Sequence, residues 1–307
     1  MSIHHPRPRA RRHRARLFAT AAVGLSLAAG AAACGGSSTD AGSGSSAAAD
    51  PALARQLPAD IRSGGVVKVG TDATFPPFES MGADGRTVEG FDADLAKALG
   101  AKLGVDFQFN QLSFDGLIPA LKGDRFNLIM AGMADTRERQ AQVNFINYFR
   151  SGLGILVKKG NPEAITKLSD LCGKTVALQK GTAQVDLVRR QSATCPTPIS
   201  IKIFPAETDA QLQVRTGRAV ADVTDFPVAV YTARTAGGGS QFEVAKSPRY
   251  ATTLYGIAVP KGRPALQKAI RAALQSLIAD GTYRRTLEKW GLGALAIDKV
   301  TINGATS

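Results

Sequence analysis

Histidine is almost missing from this chain of 307 residues: all three, His4, His5 and His13, fall at its very start. The remainder therefore cannot build Ser–His or Cys–His nucleophiles, nor His-ligated zinc or copper sites. Cysteine is as scarce, with Cys34, Cys172 and Cys195 alone. No histidine and no third thiol lies near Cys172 and Cys195, so a metal pair has nothing to complete it, and no metal or cofactor is expected. Acidic residues are absent from residues 1–33, which carry Arg7, Arg9, Arg11, Arg12, Arg14 and Arg16. Without that segment the net charge falls from +13 to +7, six arginines and no acids being lost. The basicity is largely a property of the N-terminus, and nucleic-acid binding loses most of its support. The apolar run from Leu17 to Ala33 is shorter than the roughly 20 residues of a membrane span.

That N-terminus reads instead as an export signal, basic and then apolar, ending in small residues. Ala31-Ala32-Ala33 before Cys34, with GlyGlySerSer after it, resembles a bacterial lipoprotein signal. The resemblance implies removal of residues 1–33, a lipid on Cys34, and an extracytoplasmic protein anchored to the cell membrane. A plain secretory signal would leave Cys34 as an exposed thiol in an oxidising space. Arg11-Arg12 raises twin-arginine export, but His13-Arg14 follows where apolar residues belong, which favours the general secretory route. In an exported protein, Cys172 and Cys195 would form one disulfide, two buried thiols being the alternative.

From Gly35 to Ala49 the chain is Gly, Ser, Ala, Thr and one Asp, the composition of a flexible tether. Beyond it, β-rich runs alternate with amphipathic helices. Strands are expected at Val66–Gly70, Val105–Asn110 and Phe126–Ala131, with helices over Gly90–Leu103 and Phe114–Lys122. A second series has strands at Thr175–Gln179, Ile199–Phe204 and Ala219–Thr224, with helices from Ala183, Thr208 and Pro227. Tyr255–Val259 and a long helical tail from Pro264 to Trp290 close the chain. This alternation predicts a mainly parallel α/β sheet in each half. Chain crossovers near 151–157 and 253–257 divide it into a signal (1–33), a tether (34–60), lobe 1 (61–154 and 251–303) and lobe 2 (155–250). The cleft between such lobes is where ligands bind.

The stretch Asn127–Gln140, NLIMAGMADTRERQ, is the most informative. Small residues at Ala131, Gly132 and Ala134 let a ligand approach the backbone at a strand end. Thr136 can cap the next helix and leave its first N–H groups facing the same space. Arg139 adds a planar fork of donors that matches a carboxylate. A solvated arginine after an ordinary turn is the plain alternative. Gly70–Glu79, GTDATFPPFE, is a proline-braced loop that presents aromatics and a carboxylate, Glu79, at a cleft wall, with Phe78 as easily a core residue.

GTDATFPPFE, GFDADLAKALGAKLG, FDGLIPAL, IMAGMADTRERQ, KTVALQKGTAQ, DFPVAVY, YGIAVPKG and ADGTYRRTLEKWG occur in order across about 230 residues. Together they resemble the solute-binding proteins of polar amino-acid ABC importers, family 3. The resemblance implies two Rossmann-like lobes joined by two hinge strands, closing over one ligand. It also implies Arg139 on the ligand carboxylate, helped by backbone N–H groups near Gly132, Ala134 and Thr182, and Asp225 on the ammonium. Phe75 and Phe114 would cover the ligand, Asp72 would lie near its side chain, and Gln179 and Gln184 could touch it. The implied partners are an amino acid, an ABC permease and its ATPase, and the membrane through the lipid, with the protein a monomer. Ala134 and Ala183 stand where the family usually has hydroxyl residues. Asp225 could instead only cap the helix at Pro227. A cyclohexadienyl dehydratase-like enzyme with Asp72, Glu79 or Asp225 as acid, or a sensor domain for a receptor, are the alternatives on the same scaffold.

Overall fold

The computed structural model describes residues 49–305. The signal over 1–33, lipidation at Cys34 and the tether up to residue 48 lie outside the described residues. The tether expected as far as residue 60 ends earlier. Asp50 caps α1 (Pro51–Ala54), and α2 (Ala59–Gly64) follows, with Leu57 and Ile61 buried in the core. An acid before a proline is a strong helix start, and the low-complexity run just before it obscures that signal.

β1 (Val66–Thr71) leads into a small hairpin sheet of β2 (Thr74–Phe75), β3 (Glu79–Met81) and β4 (Val88–Glu89). Then come α3 (Phe91–Leu103), β5 (Asp106–Gln111), α4 (Leu117–Lys122), β6 (Leu128–Ile129), α5 (Arg137–Gln140) and the long β7 (Val143–Lys158). The second series is β8 (Thr175–Gln179), α6 (Ala183–Ser192), β9 (Ser200–Phe204), α7 (Glu207–Arg215), β10 (Ala221–Asp225), α8 (Phe226–Thr235) and β11 (Phe242–Val244). β12 (Tyr250–Pro260), α9 (Pro264–Ala279) and α10 (Thr282–Lys289) complete it. The single helical tail expected from Pro264 to Trp290 is two helices, broken where Gly281 takes φ +78°.

One sheet runs β5-β1-β6-β12-β7-β10-β8-β9, with β11 paired to β7. β1 is parallel to β5 and β6, and β8 is parallel to β9 and β10, so each half is a parallel α/β unit. β7 and β12 run antiparallel and join them. β7 pairs with β12 up to Leu153, and from Leu153 to Val157 with β10. Each half keeps its own apolar core: Val69, Leu95, Leu99 and Leu274 in one, Val176, Leu178, Val188 and Val223 in the other. The fold is two Rossmann-like lobes joined by two long strands, because helices cover both sheet faces while β7 and β12 are long enough to serve both halves.

Candidate ligand-binding cleft

A cavity of about 560 Å³ opens where strand ends of both halves meet. Phe75, Phe114, Gly132, Ala134 and Arg139 line it from the first lobe, and Gln179, Thr182, Gln184 and Asp225 from the second. Leu153, Thr253 and Tyr255 come from the joining strands. Of the ligand-binding residues that the resemblance implies, Asp72 alone does not line it, and Ala131 and Glu79, also read from the sequence as facing the cleft, do not either.

On one side, Gly132 has φ +48° and a Cβ there would stand 3.2 Å from the rings of Phe75 and Phe78. Only glycine fits that approach without strain. Thr136 caps α5 as expected, its Oγ1 accepting from the Arg139 N–H at 3.3 Å. Yet α5 is a single turn, so the dipole expected at its start is small. The half-buried guanidinium lies over the Phe114 ring, 5.3 Å from its centroid. Nη1 donates to the Ala134 carbonyl at 2.8 Å and Nη2 to the Gly181 carbonyl at 3.1 Å. Those two bonds fix the fork between the lobes and leave further N–H donors of the five for a ligand. Burial lowers its pKa while Asp225 raises it, and the group stays cationic.

Facing it, Asp225 closes β10 and stands at the N-cap of α8 without a side-chain cap bond. That disposes of the helix-capping alternative. Its Oδ1 accepts from Gln184 Nε2 at 3.3 Å and, in a short bond, from the Tyr255 hydroxyl. Burial pushes its pKa up to about 7; the Tyr255 bond and the Arg139 charge pull it down, and Glu207 pushes it further up.

Asp72 is held one layer behind the wall. It accepts from Thr74 Oγ1 (3.0 Å), Gln111 Nε2 (3.3 Å), the Phe114 N–H (3.0 Å) and Gln179 Nε2 (2.8 Å). A carboxylate offers about four lone-pair sites, so Asp72 is filled. It positions Phe114 and Gln179, which do line the cavity. Thr182 donates to the Gln179 carbonyl at 2.8 Å and leaves the first turn of α6 without a side-chain cap. Ala183 lines the cavity beside it, so the hydroxyl that the family pattern usually supplies is missing on this wall too.

Glu79 does not present its carboxylate to the cleft. The β2–β3 hairpin turns it inward, fully buried beside Asp92, and burial with the Asp92 charge drives its pKa well above the ordinary range. Asp92 in turn accepts from the Gly132 N–H at 3.2 Å and the Tyr148 hydroxyl at 3.1 Å. Phe78 is core, stacked 4.8 Å from Phe149. The residue that sequence reasoning missed is Tyr255; it lies inside the YGIAVPKG motif, where nothing local shows that its side chain reaches β10. Cys172 and Cys195 are joined, with Cα atoms 5.4 Å apart, and tie the turn before β8 to the end of α6.

Two α/β lobes on paired joining strands, with charged groups of opposite sign across the cavity, define a two-lobed solute-binding protein. Residues 67–293 match the model of the bacterial extracellular solute-binding proteins, family 3, and the chain belongs to that family. It is 32% identical over 226 residues to ABC transporter arginine-binding protein 1 of Escherichia coli (strain K12), covering 73% of this chain and 90% of that one. An ancestral arginine-binding protein bound to glutamine superposes with a TM-score of 0.68 at 40% identity, over 74% of this chain and 98% of that chain. The ancestral amino acid-binding protein AncCDT-1, described as a precursor of cyclohexadienyl dehydratase, gives 0.68 at 37% identity, over 75% and 97%.

Proposed function

We propose that the cleft captures a free amino acid, its carboxylate on Arg139 and its ammonium on Asp225. The observation that carries this is the pairing itself: opposite charges from opposite lobes face one cavity, so a zwitterion between them joins the lobes. Phe75 and Phe114 cover the ligand. Gln179 spends its N–H on Asp72 and on the Pro205 carbonyl (3.4 Å), which leaves its oxygen to accept from a polar side chain. Backbone N–H groups near Ala134 and Thr182 complete the carboxylate site in place of the hydroxyls missing at Ala134 and Ala183. The relatives' roles support delivery to an ABC permease and its ATPase. The sequence pattern supports export and anchoring through a lipid on Cys34, with the protein acting as a monomer.

A catalytic reading has one observation behind it: Asp225, poised near neutrality, lines a cavity in a fold shared with AncCDT-1. Binding is favoured because the Asp225 carboxylate is already committed to Tyr255 and Gln184, which suits a fixed acceptor better than a proton donor. Both readings are tested by a thermal-shift screen of the non-lipidated chain against the twenty amino acids, ornithine, citrulline and arogenate. A ligand at 100 times its Kd adds about 2.7 kcal/mol of stability. One or two polar amino acids giving a clear shift, with no turnover of arogenate or prephenate, is the expected result. No shift from any amino acid, or turnover of either compound, contradicts it.

A further inference from the structure

We propose that Tyr255 is the positioning residue of ammonium recognition: from the strand joining the lobes, its hydroxyl holds the Asp225 carboxylate toward the ligand. The proposal rests on the reading above, that Asp225 receives the ammonium. Its support is a juxtaposition made by one residue. The backbone of Tyr255 bridges to Ala134. On either side the Gly256 N–H donates to Met133 O (3.0 Å) and the Asp135 N–H to Leu254 O (2.9 Å). β12 is thereby fixed to the loop that carries the carboxylate side of the site. The Tyr255 ring is fully buried and stacked on Phe149 (4.7 Å, 19°), which stacks on Phe78, leaving it little rotational freedom. From that fixed ring the hydroxyl reaches Asp225 on the opposite lobe. One side chain thus ties both poles of the site.

The groups that face Asp225 show why a dedicated donor is needed. Glu207 from α7 pushes the Asp225 pKa up, the Asp225 charge in turn raises those of Asp222 on the same strand and Glu79 on β3, and Gln184 from α6 donates to Asp225 at 3.3 Å. The charged form of Asp225 is favoured by the Tyr255 hydroxyl, the Arg139 charge and the longer bond from Gln184. Arg139 is shared with the ligand carboxylate and the Gln184 bond is the longer one, which leaves the Tyr255 hydroxyl as the main donor held on Asp225. Burial and the Asp225 charge push the phenol's own pKa well up, so it remains a donor.

Tyr255→Phe keeps the ring stack and removes the hydroxyl. L-glutamine and L-arginine are titrated calorimetrically into parent and variant, both as the non-lipidated chain. The Asp225 carboxyl is followed by carbon NMR without ligand. Affinity in the variant is expected to fall about tenfold or more at neutral pH, the worth of a hydrogen bond to a charged group. The loss should shrink near pH 8.5, as Asp225 ionises again, and the ligand-free Asp225 midpoint should move up. Unchanged affinity, or an equal loss at both pH values with an unmoved Asp225 midpoint, overturns the proposal, since a merely structural tyrosine gives no rescue by pH. If the parent binds neither probe, the ligand-free midpoint decides: a rise in Tyr255→Phe supports the hold of Tyr255 on Asp225, and an unmoved midpoint overturns it.

Discussion

Asp225 is 3% exposed, and its pKa rises from 3.8 to about 7 because burial penalises its charge. Asp92 moves the same way, from 3.8 to about 6, and Glu79, Glu207 and Asp222 are raised too. A carboxyl whose folded pKa is raised contributes stability that is fully present below its unfolded pKa and lost as pH rises through the folded one. For Asp225 that window runs from 3.8 to about 7. The exposed Asp84, lowered to about 2 by its hydrogen bonds, titrates beneath the window. No histidine lies among the described residues to mask it. The ligand-free chain is therefore expected to melt higher near pH 5 than near pH 8; a calorimetric Tm that rises over that range contradicts the assignment. A ligand ammonium favours the charged form, so affinity should rise with pH up to about 7 with release of a proton, visible as a buffer-dependent binding heat.

At the scale of elements, α6 carries Thr182 and Gln184 to the cleft and is tied at its far end by Cys172–Cys195, 23 residues apart. A loop of that length is worth about 3 kcal/mol in the chain-entropy model. The double substitution Cys172→Ser with Cys195→Ser should lower the Tm by several degrees, read in a thermal melt; an unchanged Tm contradicts it. The elements most legible in the sequence were those with strong local patterns. β8 and α3 followed from β-rich and amphipathic runs, and the cap of α5 from Thr136. The β2–β4 hairpin was not legible, because its strands are two or three residues long and prolines mask their period. Gly281 could have shown the break between α9 and α10, since a glycine inside a helical pattern marks a stop. The buried partnership of Glu79 and Asp92 was hidden because no local signal says that a carboxyl will be kept neutral by a neighbour.

Across the whole molecule, a small set of bonds spans the cleft. Gln179 reaches Asp72, Arg139 reaches Gly181, Lys180 pairs with Asp115 at 2.8 Å, and the Glu207 N–H meets Thr74 Oγ1 at 3.4 Å. The Lys180 pair is exposed and worth little. Gln179→Ala leaves a buried Asp72 oxygen short of a donor in the closed form, and should weaken ligand binding about tenfold; equal affinity by titration contradicts that. Arg139 and Asp225 drew notice as a pair through the family resemblance of the motifs that carry them, IMAGMADTRERQ and DFPVAVY, and both line the cavity. The filled state of Asp72 and the reach of Tyr255 were not legible, since both depend on partners 30 or more residues away.

A zwitterion bridging Arg139 and Asp225 is tested by calorimetric titration of the amino acid from the thermal-shift screen into Arg139→Ala. Truncating one partner of a desolvated charge pair costs about 2–5 kcal/mol, or roughly 30-fold to a few thousand-fold in Kd. A loss of that size is expected, with the Tm of the ligand-free chain little changed. Unchanged affinity in Arg139→Ala would contradict it.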